Sequence, residues 1–111
     1  MLRDDQVRLH HMLDAAREAM TFTQGRTRAD LNRDRKLVLS LVKEIEIIGE
    51  AANQITEATM EQLPAIPWAD IIGMRNRLVH VYFDINLDIL WRTAQCDLPP
   101  LVAALERVLE G

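Results

Sequence analysis

The sequence predicts an all-α fold, an antiparallel bundle of four to five helices, and three observations carry that reading. Apolar residues recur at spacings of three and four and nowhere alternate cleanly. No Asn-Gly or Asp-Gly hairpin turn occurs. Glycine and proline number only 4 each among 111 residues, too few for a turn-rich or disordered chain. With 49% apolar residues, a chain of this length is read as one folded domain, residues 1–111, large enough for a core of its own.

The elements follow in order. Asp4 or Asp5 can cap a first helix, in which Leu9, Leu13, Ala16 and Met20 form one stripe ahead of the loop TFTQGRTR. From about Ala29 to about Glu61 runs the longest periodic stretch, with Val38, Leu41, Ile45, Ile48, Ala52 and Ile55 as a near-heptad seam, the expected spine. Gly49 within it is expected to permit close helix approach. Two prolines in LPAIPW end that spine, and the next helix is expected near Pro67 or Trp68, through ADIIGMRNRLV. Asp84 or Asn86 can cap a further helix over LDILWRTAQC, and the Leu98-Pro99-Pro100 corner starts a last one with Leu101, Leu105 and Val108 inward. Trp68 and Trp91 read as core or interface anchors.

Composition excludes several classes of function. A formal net charge of -4 builds in no long-range attraction to nucleic acid or to an anionic membrane, so any RNA contact must be local. The single cysteine, Cys96, excludes an internal disulfide and a multi-cysteine zinc site; it is expected as a small buried or half-buried apolar group. The charged N-terminus MLRDDQVRLHHML is neither signal peptide nor anchor, and no apolar run is long enough to span a bilayer, so the expected location is cytoplasmic. No metal site is expected: His10 and His11 are adjacent, hence about 100° apart on a helix, and read as surface residues. The basic run Arg26, Arg28, Arg33, Arg35 and Lys36, tempered by Asp30 and Asp34, reads as a solvated face.

One stretch does not fit a plain core. RNRLVHVYF, residues 75–83, packs two arginines, an asparagine, a histidine and a tyrosine into a short apolar segment, where charged or titratable groups enter only when paired or used. At about 100° per residue, Arg75 and Tyr82 share a helix face while His80 lies well around it. The three meet if the helix loosens near His80, where VHVYF is a weak helix former, or if a second copy completes the site. The residue types suit a phosphodiester. An imidazole with a reference pKa near ~6.5 can take a proton from one oxygen and give one to another, and a guanidinium can grip phosphate oxygens and hold transition-state charge. RNA brings its own nucleophile, the 2'-hydroxyl, so such a site needs no cofactor.

The segment IPWADIIGMRNRLVHVYFDINLDILWRTAQCDLPPL, preceded by EIIGEAANQI, resembles the HepT-like family of HEPN-domain proteins over nearly the whole chain. That family's motif is arginine, four residues, histidine, any residue, tyrosine, which falls on Arg75, His80 and Tyr82. The resemblance implies a dimeric helical-bundle ribonuclease in which two Arg-His motifs meet in one composite cleft, acting as a toxin paired with a small nucleotidyltransferase antitoxin. It implies that Arg75 and His80 are catalytic, that Asn76 orients the arginine, and that Tyr82 is the residue the antitoxin modifies with AMP. Glu50, in IGEAA, matches an acidic family position as a site-shaping partner for arginine, while Val81 departs from the acidic residue common there. Since one chain is acidic and supplies one pair, a homodimer that brings two copies of Arg75 and Arg77 together is the expected source of a cleft positive enough for an RNA backbone.

The alternative reading is a non-catalytic module that docks a nucleotidyltransferase and presents nucleotide or substrate to it. In the plainest reading Arg75 is a surface cation near a carboxylate, His80 a satisfied buried histidine and Tyr82 a core aromatic. The four residues Arg75, Asn76, His80 and Tyr82 together favour the enzyme, because docking alone does not require an acid-base histidine.

Overall fold

The structure is a computed structural model and describes residues 1–79 and 84–111. His80 and Tyr82 lie outside the described residues, as do Val81 and Phe83. Four long helices form the bundle: α1 (Arg3–Thr23), α3 (Arg35–Asn53), α5 (Trp68–Leu78) and α7 (Leu98–Leu109). Three short ones, α2 (Asp30–Arg33), α4 (Glu57–Gln62) and α6 (Leu87–Arg92), turn the corners. Among the described residues the only β-pairing is an isolated antiparallel bridge between Val79 and Ile85. No helix among them is long and apolar enough to cross a membrane.

Specific contacts fix the helix directions. The start of α1 meets the end of α3, where the Arg8 guanidinium donates to the Gln54 carbonyl at 3.1 Å. Further along, Arg17 of α1 pairs with Glu106 and Glu110 near the end of α7, at 3.2 and 2.9 Å. Between α3 and α5, Glu46 meets Arg75 and Gly49 faces Ile71 and Ile72. The α1–α3 and α3–α5 pairs are therefore antiparallel. Leu9, Met12 and Leu13 of α1, Leu41, Ile45 and Ile48 of α3, Met74 and Leu78 of α5, and Leu98 and Leu105 of α7 are fully buried between them. Burying each such side chain stabilises the fold by about 1.5–3 kcal/mol.

Three local expectations change. The spine does not run unbroken from Ala29 to Glu61: Asp34 adopts an extended backbone (φ -120°, ψ 91°) and its side chain accepts the Leu37 N–H, so it caps α3 and separates it from α2. The far end stops at Asn53, and Thr56 caps α4 by accepting the Thr59 N–H. Of the proposed caps downstream, Asn86 is the one used for α6, accepting the Ile89 N–H at 3.0 Å. At Gly49 a Cβ would sit 3.6 and 3.7 Å from the Ile72 and Ile71 carbonyl oxygens, ordinary contact distances. The helices approach closely there, but not so closely that glycine is required.

Neither Asp4 nor Asp5 caps α1, whose N-cap Leu2 makes no side-chain bond. Asp5 is fully buried and accepts the Thr56 and Thr59 hydroxyls, both at 2.6 Å, and the Thr56 N–H at 3.2 Å. Those hydroxyl bonds, Thr56 first, hold its carboxyl below the usual carboxylate range. The cluster pins α4 to the start of α1, and it is strong because an ionised acceptor roughly doubles a hydrogen bond. Asp5→Ala, which takes the carboxylate acceptor from the buried Thr59 hydroxyl and the half-buried Thr56 hydroxyl, is expected to lower the melting midpoint by about 10 °C, readable by calorimetry. The stability Asp5 supplies is present above the ordinary aspartate pKa and is lost as pH falls through the lower folded value.

Between α6 and α7 the chain widens into a π-helical turn, Thr93–Asp97. The cause is Pro99 and Pro100 in the first turn of α7. Neither can donate to a carbonyl one turn back, and each ring would collide with it in a continuous α-helix. The Leu98 N–H instead reaches the Thr93 carbonyl, and the two helices run on without a break.

Candidate functional site

Arg75 lies in the last turn of α5, with its side chain 49% exposed. Its Nε donates to Glu46 Oε1 at 3.0 Å, which fixes the guanidinium over α3; among the described residues its terminal nitrogens meet no acceptor. The pair lines a small cavity of about 180 Å³ together with Lys43, Leu39, Val42, Val79 and Ile85. Helix α5 ends at Leu78, and Val79 turns to extended backbone (φ -109°, ψ 113°) while its N–H still donates to the Arg75 carbonyl at 3.1 Å. Val79 then bridges to Ile85, and the Asn86 N–H donates to the Leu78 carbonyl at 2.7 Å. The chain therefore leaves helical geometry one residue before His80, in line with the loosening expected there. For the same reason the placing of Tyr82 on the Arg75 helix face lapses, since that argument required a continuous helix.

The carboxylate that meets Arg75 is Glu46, not Glu50. One turn further along α3, Glu50 lines a different groove of about 510 Å³ against α1, with Asp4, Val7, Arg8, His11 and Gln54. Sequence reasoning missed Glu46 and Lys43, because nothing in a single sequence sets which turn of α3 lies against which turn of α5.

Arg77 is likewise not in the Arg75 cavity. Two residues apart on a helix is about 200° of rotation, and Arg77 reaches back along α5 to the Asp70 carbonyl oxygen at 3.1 Å and its carboxylate at 3.7 Å. It faces a groove of about 430 Å³ shared with Arg92, Cys96, Asp97 and Leu101. Within one chain Arg75 and Arg77 thus serve opposite sides of α5. Asn76, between them, is exposed. Cys96 is exposed rather than buried or half-buried, because the widened turn carries it outward.

Other expectations hold their bland form. His10 and His11 are exposed. Trp68 and Trp91 are half-buried against the core, and the Trp68 indole N–H donates to the Leu63 carbonyl at 3.1 Å. The basic run is a solvated, paired face: Arg26 bridges Asp30 and Asp34, Arg28 pairs with Asp88, and Arg33 with Asp30. Away from the Arg75 cavity, Glu44 of α3 is buried facing Glu18 of α1. Burial, then the Glu18 carboxyl beside it, pushes its pKa up to about 7.

The comparisons with known proteins fit this geometry. The family model described as "Ribonuclease HepT-like" matches residues 12–108. The chain is 31% identical over 108 residues to the "Probable ribonuclease HepT" of Thermococcus cleftensis, covering 97% of this chain and 98% of that one. It is 30% identical over 106 residues to "Putative RNase MJ1380" of Methanocaldococcus jannaschii, covering 96% and 97% respectively. No solved structure gives a significant match. A bundle of four long helices, an exposed arginine where α5 ends, and a family match over most of the length lead to one conclusion: this chain belongs to the HepT-like family.

Proposed function

We propose that this protein is a metal-independent endoribonuclease, the toxin of a two-gene toxin-antitoxin module, active as a cytoplasmic homodimer and silenced when a nucleotidyltransferase antitoxin attaches AMP to Tyr82. The observation that carries the reading is the exposed Arg75 guanidinium, which among the described residues is held at one nitrogen by Glu46 and bonded at no other, in a chain that the ribonuclease family model matches over residues 12–108. In the sequence His80 of the motif directly follows the cavity-lining Val79.

In this mechanism His80 takes the proton from a ribose 2'-hydroxyl, whose oxygen attacks the adjacent phosphorus. Arg75 holds the negative charge that grows on the non-bridging oxygens. The bond to the 5'-oxygen breaks as that oxygen gains a proton from an imidazolium, leaving a 2',3'-cyclic phosphate and a 5'-hydroxyl. Two motifs in a composite cleft supply both a base and an acid at once, the division of labour that two-sided proton transfer favours. Asn76 orients the arginine. An AMP on Tyr82 places an anionic phosphate and a base by the cleft, pairing with Arg75 and blocking RNA entry, two separate causes of inactivation.

The expected result is cleavage of single-stranded RNA that survives EDTA, yields cyclic-phosphate ends and fails on a substrate with 2'-deoxyribose at the cut. Cleavage abolished by EDTA, or equal cleavage of DNA, overturns the mechanism. On co-expression with the antitoxin, intact-mass and peptide analysis is expected to find one or more nucleotide monophosphates on Tyr82. Tyr82→Phe should remain active and escape silencing. If the antitoxin silences Tyr82→Phe as well as the parent, with no adduct on either, it acts by covering the site.

A further inference from the structure

Among the described residues, Glu44 Oε2 is the one buried side-chain polar atom with no hydrogen-bond partner. A carboxyl only 5% exposed beside the Glu18 carboxyl costs the fold stability, and groups kept at such a cost gather where a ligand uses them. Glu44 lines an open groove of about 330 Å³ with Glu18, Phe22, Leu39, Ser40 and Lys43. Leu39 and Lys43 also line the Arg75 cavity, so one ridge of α3 is the wall between the two.

The groove has two unlike ends. Because α1 and α3 run antiparallel with Glu18 against Glu44, Phe22 one turn along α1 comes opposite Leu39 and Ser40 one turn back along α3. That end offers a half-buried aromatic ring and a leucine 45% exposed. The other end holds the two carboxyls and Lys43. A proton stays on Glu44 up to about pH 7, and Glu18 accepts it in a hydrogen bond, so the buried acid holds the exposed one in place. Such a groove suits a flat, neutral ring whose edge carries N–H donors. A free cation fits less well, since Lys43 brings a positive charge to the same end, and among the described residues no group of three His, Cys, Asp or Glu could hold a metal ion.

We infer that this groove seats the guanine base of the nucleotide beside the scissile phosphate, stacked on Phe22, with its N1–H and 2-amino group donating to Glu18, which Glu44 positions. Guanine is the RNA base that presents two adjacent N–H donors on its pairing edge, the match to one carboxylate. Stacking on an aromatic ring adds affinity without regard to base identity, so the carboxyl supplies the choice. The inference rests on the ribonuclease reading: the phosphate is held at Arg75, and Lys43 on the shared ridge lies between phosphate and base.

Cleavage rates on one RNA sequence, with each base placed in turn on either side of the cut, read the preference. Inosine isolates the contact, because it lacks only the 2-amino group of guanosine. The parent is expected to prefer guanosine to inosine by about tenfold or more in kcat/KM at one of the two positions. Glu18→Gln and Glu44→Met should each bring that ratio close to one, whereas Phe22→Leu should raise KM for every base and leave the ratio near that of the parent. Glu18 is exposed and Glu44→Met removes a buried carboxyl, so both should fold, checked by circular dichroism. Equal rates on guanosine and inosine at both positions, a stronger preference for another base, or a ratio unmoved by either carboxyl variant overturns the proposal. Binding of a fluorescent oligonucleotide with 2'-deoxyribose at the cut, read by anisotropy, separates the two readings. A parent that binds guanosine over inosine through Glu18 but cuts no RNA removes the ribonuclease assignment and keeps the groove, and a parent that cuts RNA but binds both alike does the reverse.

Discussion

Arg75→Ala and His80→Ala are each expected to lose about a hundredfold or more in RNA cleavage, the scale on which electrostatic and acid-base groups act. For Arg75 the loss should fall on the chemical step and not on the fold. Its side chain is half exposed, and its pairing with Glu46 is a surface ion pair, worth at most about 1 kcal/mol. Arg75→Lys keeps a charge but loses the planar fork that holds two phosphate oxygens at once, so an intermediate rate is expected. Arg77→Ala is the informative control. Arg77 faces the groove on the other side of α5, and its removal should cost far less than that of Arg75. Single-turnover rates on a defined RNA would measure all four, and an Arg77→Ala loss as deep as that of Arg75→Ala would mean that the catalytic cleft is not the cavity beside Glu46.

Stability is expected to fall by up to about 3 kcal/mol as pH rises from about 4.5 to about 7, through Glu44 alone. Its pKa rises from 4.5 to about 7, near 2.5 units at ~1.36 kcal/mol each. The native state holds this proton more tightly than the unfolded chain, so between the two values the unfolded state releases it first and gains. The physical origin is a carboxyl 5% exposed, with Oε2 lacking a hydrogen-bond partner among the described residues, next to Glu18 on the facing helix. Asp5, Asp30 and Asp34, whose pKa values are lowered by their hydrogen bonds, oppose this only at more acid pH. The greatest stability should therefore lie in mildly acid solution. Glu44→Gln, which keeps an amide donor toward Glu18 and does not titrate, should flatten the slope in urea unfolding measured from pH 4.5 to 8. An unchanged slope would remove the carboxyl pair as its source.

Periodicity and punctuation made most of the bundle legible. The stripe of Leu9 and Leu13, the α3 seam from Val38 to Ile48, the helix start at Trp68 and the Asn86 cap are each signalled within a few residues of where they act. Local competition was harder to read. Asp34 reads as part of a helix by its neighbours' periodicity, yet its side chain does more for Leu37 as a cap than as a helical residue. Asp5 has the look of a cap and is instead a buried anchor for threonines more than fifty positions away. The candidate site divides the same way. A short motif marks Arg75, but Glu46 is identified only by the register of α3 on α5, and Arg77 is separated from Arg75 only once helical rotation is set against the packed neighbours.

The widened turn at Thr93–Asp97 gives the molecule an intolerance to a change in chain length that no substitution would reveal. The turn already holds one residue more than an α-helical turn, and because α6 passes into α7 through it without a loop, nothing there can absorb another. Adding one residue would rotate all of α7 by about 100° relative to α6. Leu98, Leu101 and Leu105 would swing away from α1, and Arg17 would lose Glu106 and Glu110 together. The loop between α1 and α2, with Gly25 at a positive φ of 73° and open space around it, has slack of the opposite kind. Variation in length among chains of this shape should accordingly collect there and spare the segment before Pro99.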